Sequence, residues 1–371
     1  MRNGGNMHLK DDFGVTISGK DFEKRFLELH KQLFASTEQE FNDVAVHVYT
    51  PPEGFYQVDH SFIYEDDTWH CYYVTGEMKY TEEWIRHFRS GDVEAANRVC
   101  LEPGNGHAVG PSLLDLEFKE HVFHPSQGRF DLASRGVCSF FRYDGKIGML
   151  YDVRGENYIG MSTAFTEDLS NWVLTPDNPK LGPPKWAKAG STAKDPHIIQ
   201  VDDTYLIYYI VMDDRGYCTV ALATTKDWDT FEDEGAVFQA PPMLRGTMGI
   251  ESPAVVRRDG LWHLFFTFGP GLWHSVGMSP KGFIASRSTS WDVGTGFYFM
   301  GPFHATEVID DHGTWYLTTD RKEETRRLNR VAGRLCYRGS YEDEKTLEEG
   351  IYLSKIEWKG DQPIFVKPRS A

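Results

Sequence analysis

One short phrase, repeated along the chain, limits the fold more than any other feature. Its clearest copy is KDPHIIQVDDTYLIYY, from Lys194 to Tyr209. In it the acidic Asp195 precedes an apolar run, an Asp-Asp turn at Asp202 and Asp203, and a second run rich in Tyr and Ile. β-Branched and aromatic runs on either side of an Asp-rich turn specify a β-hairpin. The phrase returns as DHSFIYEDDTWHCYYV at Asp59, ESPAVVRRDGLWHLFFTF at Glu251 and HATEVIDDHGTWYLTT at His304. A weaker copy, SRGVCSFFRYDGKIGMLYDV, begins at Ser134. The interval from the leading residue to the aromatic of the second run is ten for Asp59 to Trp69 and for Asp195 to Tyr205. It is eleven for Glu251 to Trp262 and for His304 to Trp315. Hairpins recurring about every 50 to 75 residues mark a β-propeller.

Each hairpin leads into a strand of small residues, a polar turn and an aromatic. YIGMSTAFTEDLSNW from Tyr158, TVALATTKDWDTF from Thr219 and FIASRSTSWDV from Phe283 are the copies. The unit is therefore four strands, and five units predict an all-β, five-bladed propeller. In blade one the third strand, within GHAVGPSLLDLEFKEH from Gly106, follows an insertion over residues 77 to 106. Its segment TEEWIRHFRSGDVEAANRV sets Trp84, Ile85 and Phe88 on one side and reads as helix. An amphipathic helix is also expected in GKDFEKRFLELHKQLFAS from Gly19. VAVHVYT from Val44 reads as a strand that completes the last blade and closes the ring, which would remove exposed edges. The expected organisation is an arm and helix over residues 1 to 43 and one propeller domain over 44 to 371.

Successive connections of an antiparallel meander alternate between the two faces of the propeller. The leading residues of the repeats lie on one face and the Asp-Asp and Asp-Gly turns on the other. Connections from second to third strands return to the leading-residue face. The insertion at residues 77 to 106 and the segment around Trp273 and His274 are thus expected over the leading residues.

The formal net charge is −16, opposite in sign to a nucleic-acid binder. Five scattered cysteines with no CxxC pair give neither a disulfide framework nor a zinc site. The N-terminus shows no apolar signal region, and no apolar run is long enough to span a membrane. The expectation is a cytoplasmic protein without membrane or nucleic-acid partners; a homo-oligomer is left open.

Inner strands converging on one axis bring their leading residues together: Asp59, the Ser134 to Gly136 region, Asp195, Glu251 and His304. Any one Asp can be an ordinary turn residue. Three carboxylates at one mouth are costly, because each raises its neighbours' pKa unless a ligand or proton intervenes. Two carboxylates flanking a bond are what glycosidic cleavage needs. One protonates the leaving oxygen, and the other attacks the sugar or activates water.

The motifs in this order resemble the five-bladed propeller glycosidases, the superfamily of glycoside hydrolase families 32, 43, 62 and 68. HVYTPPEGFYQVDHSFIYEDDTWHCYY from His47 is similar to the family 32 segment of WMNDPNG type, which carries an Asp nucleophile. GHAVGPSLLDL resembles the family's GHAxSxDLxxW strand, KDP at Lys194 its RDP, and ESP at Glu251 its ECP. The resemblance spans residues 44 to 358. It implies Asp59 as nucleophile (or, as in family 43, general base), Asp195 as transition-state stabiliser or pKa modulator, and Glu251 as general acid. Val58 and His60 replace the Asn and Pro beside the nucleophile, and Lys194 replaces Arg. The β-sandwich that follows the family 32 propeller is not expected here. His304 matches the blade-five His of family 43 near its axial ion or water. No cofactor is expected; a structural cation on the axis is the one exception left open.

Arg135, at the blade-two leading position, is a candidate for binding a sugar hydroxyl or orienting a carboxylate, with a structural ion pair as the alternative. Trp186, Trp273 and His274 are candidates for sugar contact, with core packing as the alternative for both tryptophans. His60 is set aside, because alternation along a strand turns it away from Asp59. Trp69, Trp262 and Trp315 repeat with the blades and are assigned to the core. The sequence thus points to an exo-acting glycoside hydrolase on a terminal sugar of a small glycoside or oligosaccharide. The resemblance implies a fructose or arabinose furanoside and retention of configuration. A phosphorylase or transglycosylase on the same fold, or a sugar-binding propeller without catalysis, are the alternatives.

Overall fold

The structure is a computed structural model. It describes residues 8–10, 16–18, 44–92, 94–95, 98–99, 104–122, 134–154, 159–240, 250–268, 271–283, 297–300, 304–321 and 350–369. A small hairpin pairs β1 (His8–Lys10) with β2 (Thr16–Ser18), and β3 (Ala45–Tyr49) begins the body. Blade one is β4 (Phe55–Glu65), β5 (Thr68–Glu77), β6 (Gly104–Ser112) and β7 (Asp115–Val122). Blade two is β8 (Ser134–Tyr143), β9 (Lys146–Arg154), β10 (Ile159–Thr166) and the short β11 (Val173–Leu174). Blade three is β12 (Lys194–Val201), β13 (Thr204–Met212), β14 (Cys218–Thr225) and β15 (Glu232–Gln239). Blade four is β16 (Ile250–Arg258), β17 (Leu261–Phe268), β18 (Gly271–Gly277) and β19 (Phe297–Met300). Blade five is β20 (His304–Asp311), β21 (Thr314–Arg321), β22 (Gly350–Lys359) and β23 (Gln362–Val366). Each blade is an antiparallel meander in chain order, as the repeat predicts.

The ring is closed by the chain's own beginning. β22 gives one half of its free edge to β23 and the other half to β3, with Ile351 opposite Tyr49 and Ser354 opposite Ala45. A strand from the N-terminal side thus covers an edge that would otherwise present unpaired backbone groups. The Asp-rich turns adopt left-handed backbone at Asp66 and Asp67, at Asp144 and Gly145, and at Asp259 and Gly260. Positive φ at both turn residues matches the twist of two-residue hairpins. The five inner strands β4, β8, β12, β16 and β20 follow one another around the axis, β20 returning to β4.

The core lies between the blades. Trp69 and Trp262 are buried and Trp315 half-buried, as assigned. Trp273 and His274 are not on a loop: β18 begins at Gly271 and carries both into the interior. Trp273 stacks parallel to Phe266 in the cluster between blades three and four. The sequence placed them over the mouth because the turn was drawn too late, at Trp273 instead of before Gly271. Blades one and four share a further pair. His70 Nδ1 meets His107 Nε2 at 2.9 Å, and His263 Nδ1 meets His274 Nε2 at 3.0 Å. Burial holds His107 and His274 near pKa 3, so both pairs are neutral, one ring donating to the other.

The insertion holds a helix, α1 (Met78–Ser90), that leaves β5 on the leading-residue face. Met78 packs on Tyr56, Val58 and Val74, so the helix starts against the strand that carries Asp59. The amphipathic helix expected from Gly19 lies outside the described residues. No helix among the described residues is long and apolar enough to cross a membrane.

Candidate active site at the axial mouth

Every inner strand carries one extra residue near its start. The register slips between Val58 and His60, Arg135 and Cys138, Lys194 and His197, Glu251 and Ala254, and His304 and Thr306. A bulge bends its strand and re-aims the neighbouring side chains. In four blades the bulged residue is left-handed: Asp59 at φ 42°, Asp195 at 55°, Ser252 at 50° and Ala305 at 39°. Asp tolerates this region better than most residues. Asp59 and Asp195 therefore share one position of the repeat. Glu251 and His304 stand one residue earlier, level with Lys194, Arg135 and Val58. The matched spacing read from the sequence hides this offset of one.

The offset has a chemical result. Level positions on adjacent blades meet, so Lys194 Nζ lies 2.7 Å from Glu251 Oε1. It lies 3.7 Å from Asp195 Oδ2. One residue on, the Ser252 backbone N–H donates to Asp195 Oδ2 at 3.0 Å. Burial pushes the Asp195 carboxyl up; Lys194 opposes this, and the charges of Asp59 and Glu251 add to it. Asp59 and Glu251 thus both act on Asp195 at one end of the axis. Two carboxylates whose environments differ, one against an ammonium and one against like charges, are the arrangement that separates acid from base roles.

The strand carrying Asp59 is pinned on both sides. Gln57 Nε2 donates to Asp320 Oδ2 at 2.9 Å, and His60 Nε2 lies 2.8 Å from Thr318 Oγ1. Both partners belong to β21 of blade five. His60 was set aside on strand alternation; the bulge at Asp59 breaks that alternation and turns His60 into the interior, where it lines the axial cavity. That cavity, about 20 Å³, also takes in Ser61, Asp195, Ser252, Thr306 and Glu307. Glu307 is half-buried and accepts the Phe62 N–H at 2.8 Å; desolvation pushes its carboxyl up to about 8. Glu307 stands between this cavity and a wider opening of about 490 Å³ on the turn face. The wider opening is walled by Phe141, Ile199, Val256 and Trp315, away from the three carboxylates.

The remaining candidates divide. Arg135 and His304 occupy the strand positions expected, on β8 and β20, and their side chains lie outside the described residues. Trp186 packs against the cluster between blades two and three, and its indole N–H donates to Asp233 of the outer strand β15 at 2.9 Å. Trp273 and His274 are core residues, and neither faces the mouth. Gln57, Asp320 and Glu307 are the contributors not singled out from sequence, where Lys194 was noted as a replacement of Arg. Asp320 had a signal: it matches Asp152 when second strands are aligned from their turns. Among the described residues no group of three His, Cys, Asp or Glu side chains is gathered as a metal ion would require.

No family model and no curated protein matches this sequence. Solved structures do match in fold. A Bombyx mori GH32 beta-fructofuranosidase superposes with a TM-score of 0.59 at 14% identity, over 94% of this chain and 70% of that one. Fructan 1-exohydrolase IIa from Cichorium intybus gives a TM-score of 0.61 at 15% identity, over 90% of this chain and 61% of that one. A thermostable family-43 glycoside hydrolase gives a TM-score of 0.58 at 12% identity, over 88% and 98%. The chain is a five-bladed β-propeller resembling GH32 and GH43 glycoside hydrolases, and at these identities the likeness is one of fold.

Proposed function

We propose that this protein is an exo-acting glycoside hydrolase that removes a terminal sugar, of furanoside type, from a small glycoside or oligosaccharide. The observation that carries the reading is the gathering of Asp195 and Glu251 around Lys194 at one end of the axis, with Asp59 at the matching bulge of blade one. In this reading Asp59 attacks the anomeric carbon and Glu251 protonates the leaving oxygen. Asp195 lies beside the sugar ring as positive charge develops. Retention follows from a carboxylate nucleophile. Two fold neighbours support a sugar substrate by what they are described with: a Bombyx mori mutant with sucrose, and the Cichorium intybus enzyme with 1-kestose.

A panel of nitrophenyl furanosides and pyranosides, with and without phosphate, tests the reading. Hydrolysis of a furanoside without phosphate is the expected result. Turnover only with phosphate would assign a phosphorylase. Binding without turnover would assign a sugar-binding propeller. NMR of the first-formed anomer checks retention.

A further inference from the structure

Among the described residues the cation beside Asp195 and Glu251 is Lys194, and it is placed unevenly between them. Lys194 is 5% exposed. Its ammonium makes a short contact of 2.7 Å to Glu251 and a long one of 3.7 Å to Asp195. A hydrogen bond between an ammonium and a carboxylate at the shorter distance is about twice as strong as one between neutral groups. Asp195 receives instead a neutral amide, the Ser252 N–H. Burial and the charges of Asp59 and Glu251 act on Asp195 in the direction that retains a proton. Among the described residues the charged groups of this cluster are Asp59 from β4, Lys194 and Asp195 from β12, and Glu251 from β16. His60 from β4 and Glu307 from β20 line the adjoining cavity together with Asp195.

We infer that Lys194 is a positioning residue that keeps Glu251 ionised before a sugar binds, and so sets the highest pH at which Glu251 can donate a proton. The first half rests on geometry alone; the second rests on the function proposed above. A glutamate held as carboxylate is a poor acid until its partner is drawn away. Sugar hydroxyls entering the mouth compete for the Lys194 hydrogens, and that competition frees Glu251 to take up a proton. Lysine suits this role because its flexible ammonium carries a point charge that can move between acceptors.

The test uses the full-length protein with 13C in its Glu and Asp side-chain carboxyls, titrated by NMR. Glu251→Gln identifies the Glu251 signal. In the native protein Glu251 should titrate below an exposed glutamate despite its burial. Lys194→Gln and Lys194→Met should each raise its midpoint by at least about one pH unit, the size of effect an adjacent opposite charge produces. Lys194→Arg should leave the midpoint where it is. A native midpoint at or above that of an exposed glutamate overturns the inference even if no Lys194 variant folds. So does an unmoved midpoint in a folded Lys194→Gln. With a substrate in hand, the alkaline limb of kcat/KM should move up in Lys194→Gln and stay in Lys194→Arg. A protein that cleaves no sugar would overturn the proposed function while the titration still decides the charge of Glu251.

Discussion

At the scale of single residues, the mouth is assembled from positions that cost stability. Left-handed backbone at Asp59, Asp195, Ser252 and Ala305 is disfavoured for residues with a Cβ, by about 1–2 kcal/mol each where no local bond compensates. Asp195 adds a buried carboxyl among like charges. A carboxyl raised above its unfolded value contributes stability that is present at low pH and lost as pH rises. Asp195→Asn keeps an acceptor for the Ser252 N–H and removes the charge. It should raise the melting temperature at pH 7 while lowering kcat by about 100-fold or more, by the balance of stability against activity. Calorimetry beside a kinetic assay checks both halves. Glu251→Gln should slow substrates with poor leaving groups far more than activated aryl glycosides, which need little protonation. Asp59→Asn should abolish turnover of both. Equal slowing by Glu251→Gln would remove Glu251 from the acid role.

At the scale of elements, strand boundaries decide what a side chain can do. Because β18 begins at Gly271, Trp273 fills space between blades, 4% exposed. Trp273→Ala should therefore destabilise the fold by about 3–5 kcal/mol, as for other large core aromatics. A denaturant midpoint shift of that size with an unchanged KM checks the assignment; a raised KM with unchanged stability would return Trp273 to the mouth. The insertion in blade one behaves differently. α1 touches the body through Met78, next to Val58 and hence beside Asp59. Replacing residues 80 to 103 with a short turn, and leaving Met78 in place, should change KM more than melting temperature. Unaltered kinetics in that deletion would show that α1 does not cover the pocket.

At the scale of the whole molecule, buried titratable groups set the response to pH. Burial lowers His70 and His197 to about 4, and His107 and His274 to about 3. Each contributes stability that is present above the unfolded value near 6.5 and lost as pH falls. Glu307, raised to about 8, and Asp195, also raised, act in the opposite sense and lose their contribution as pH rises. Below pH 6.5 the four histidines outweigh the two carboxyls, and above it only the carboxyls still change. Stability should therefore peak near pH 6.5 to 7. It should fall steeply towards pH 4 and gently towards pH 8, measured as melting temperature across that range. Glu307→Gln should flatten the alkaline side and steepen the fall towards pH 4, because the carboxyl opposes the histidines there.

Sequence alone determined the architecture, because the physics of a hairpin is local. Runs such as HIIQV and TYLIYY and the turn at Asp202 need no distant partner to declare themselves, and their repetition implies a ring. The closing strand at Ala45–Tyr49 was legible for the same reason. The three carboxylates were legible as leading residues of that repeat. Their relations were not, because those depend on one extra residue per strand and on which blade stands beside which. A bulge sets Asp59 and Asp195 one step out of line with Glu251, and the same step brings Lys194 against Glu251 and turns His60 inward. Such contacts join residues far apart in the chain, Gln57 to Asp320 being an example. No local pattern encodes them; only the packing of adjacent blades decides them.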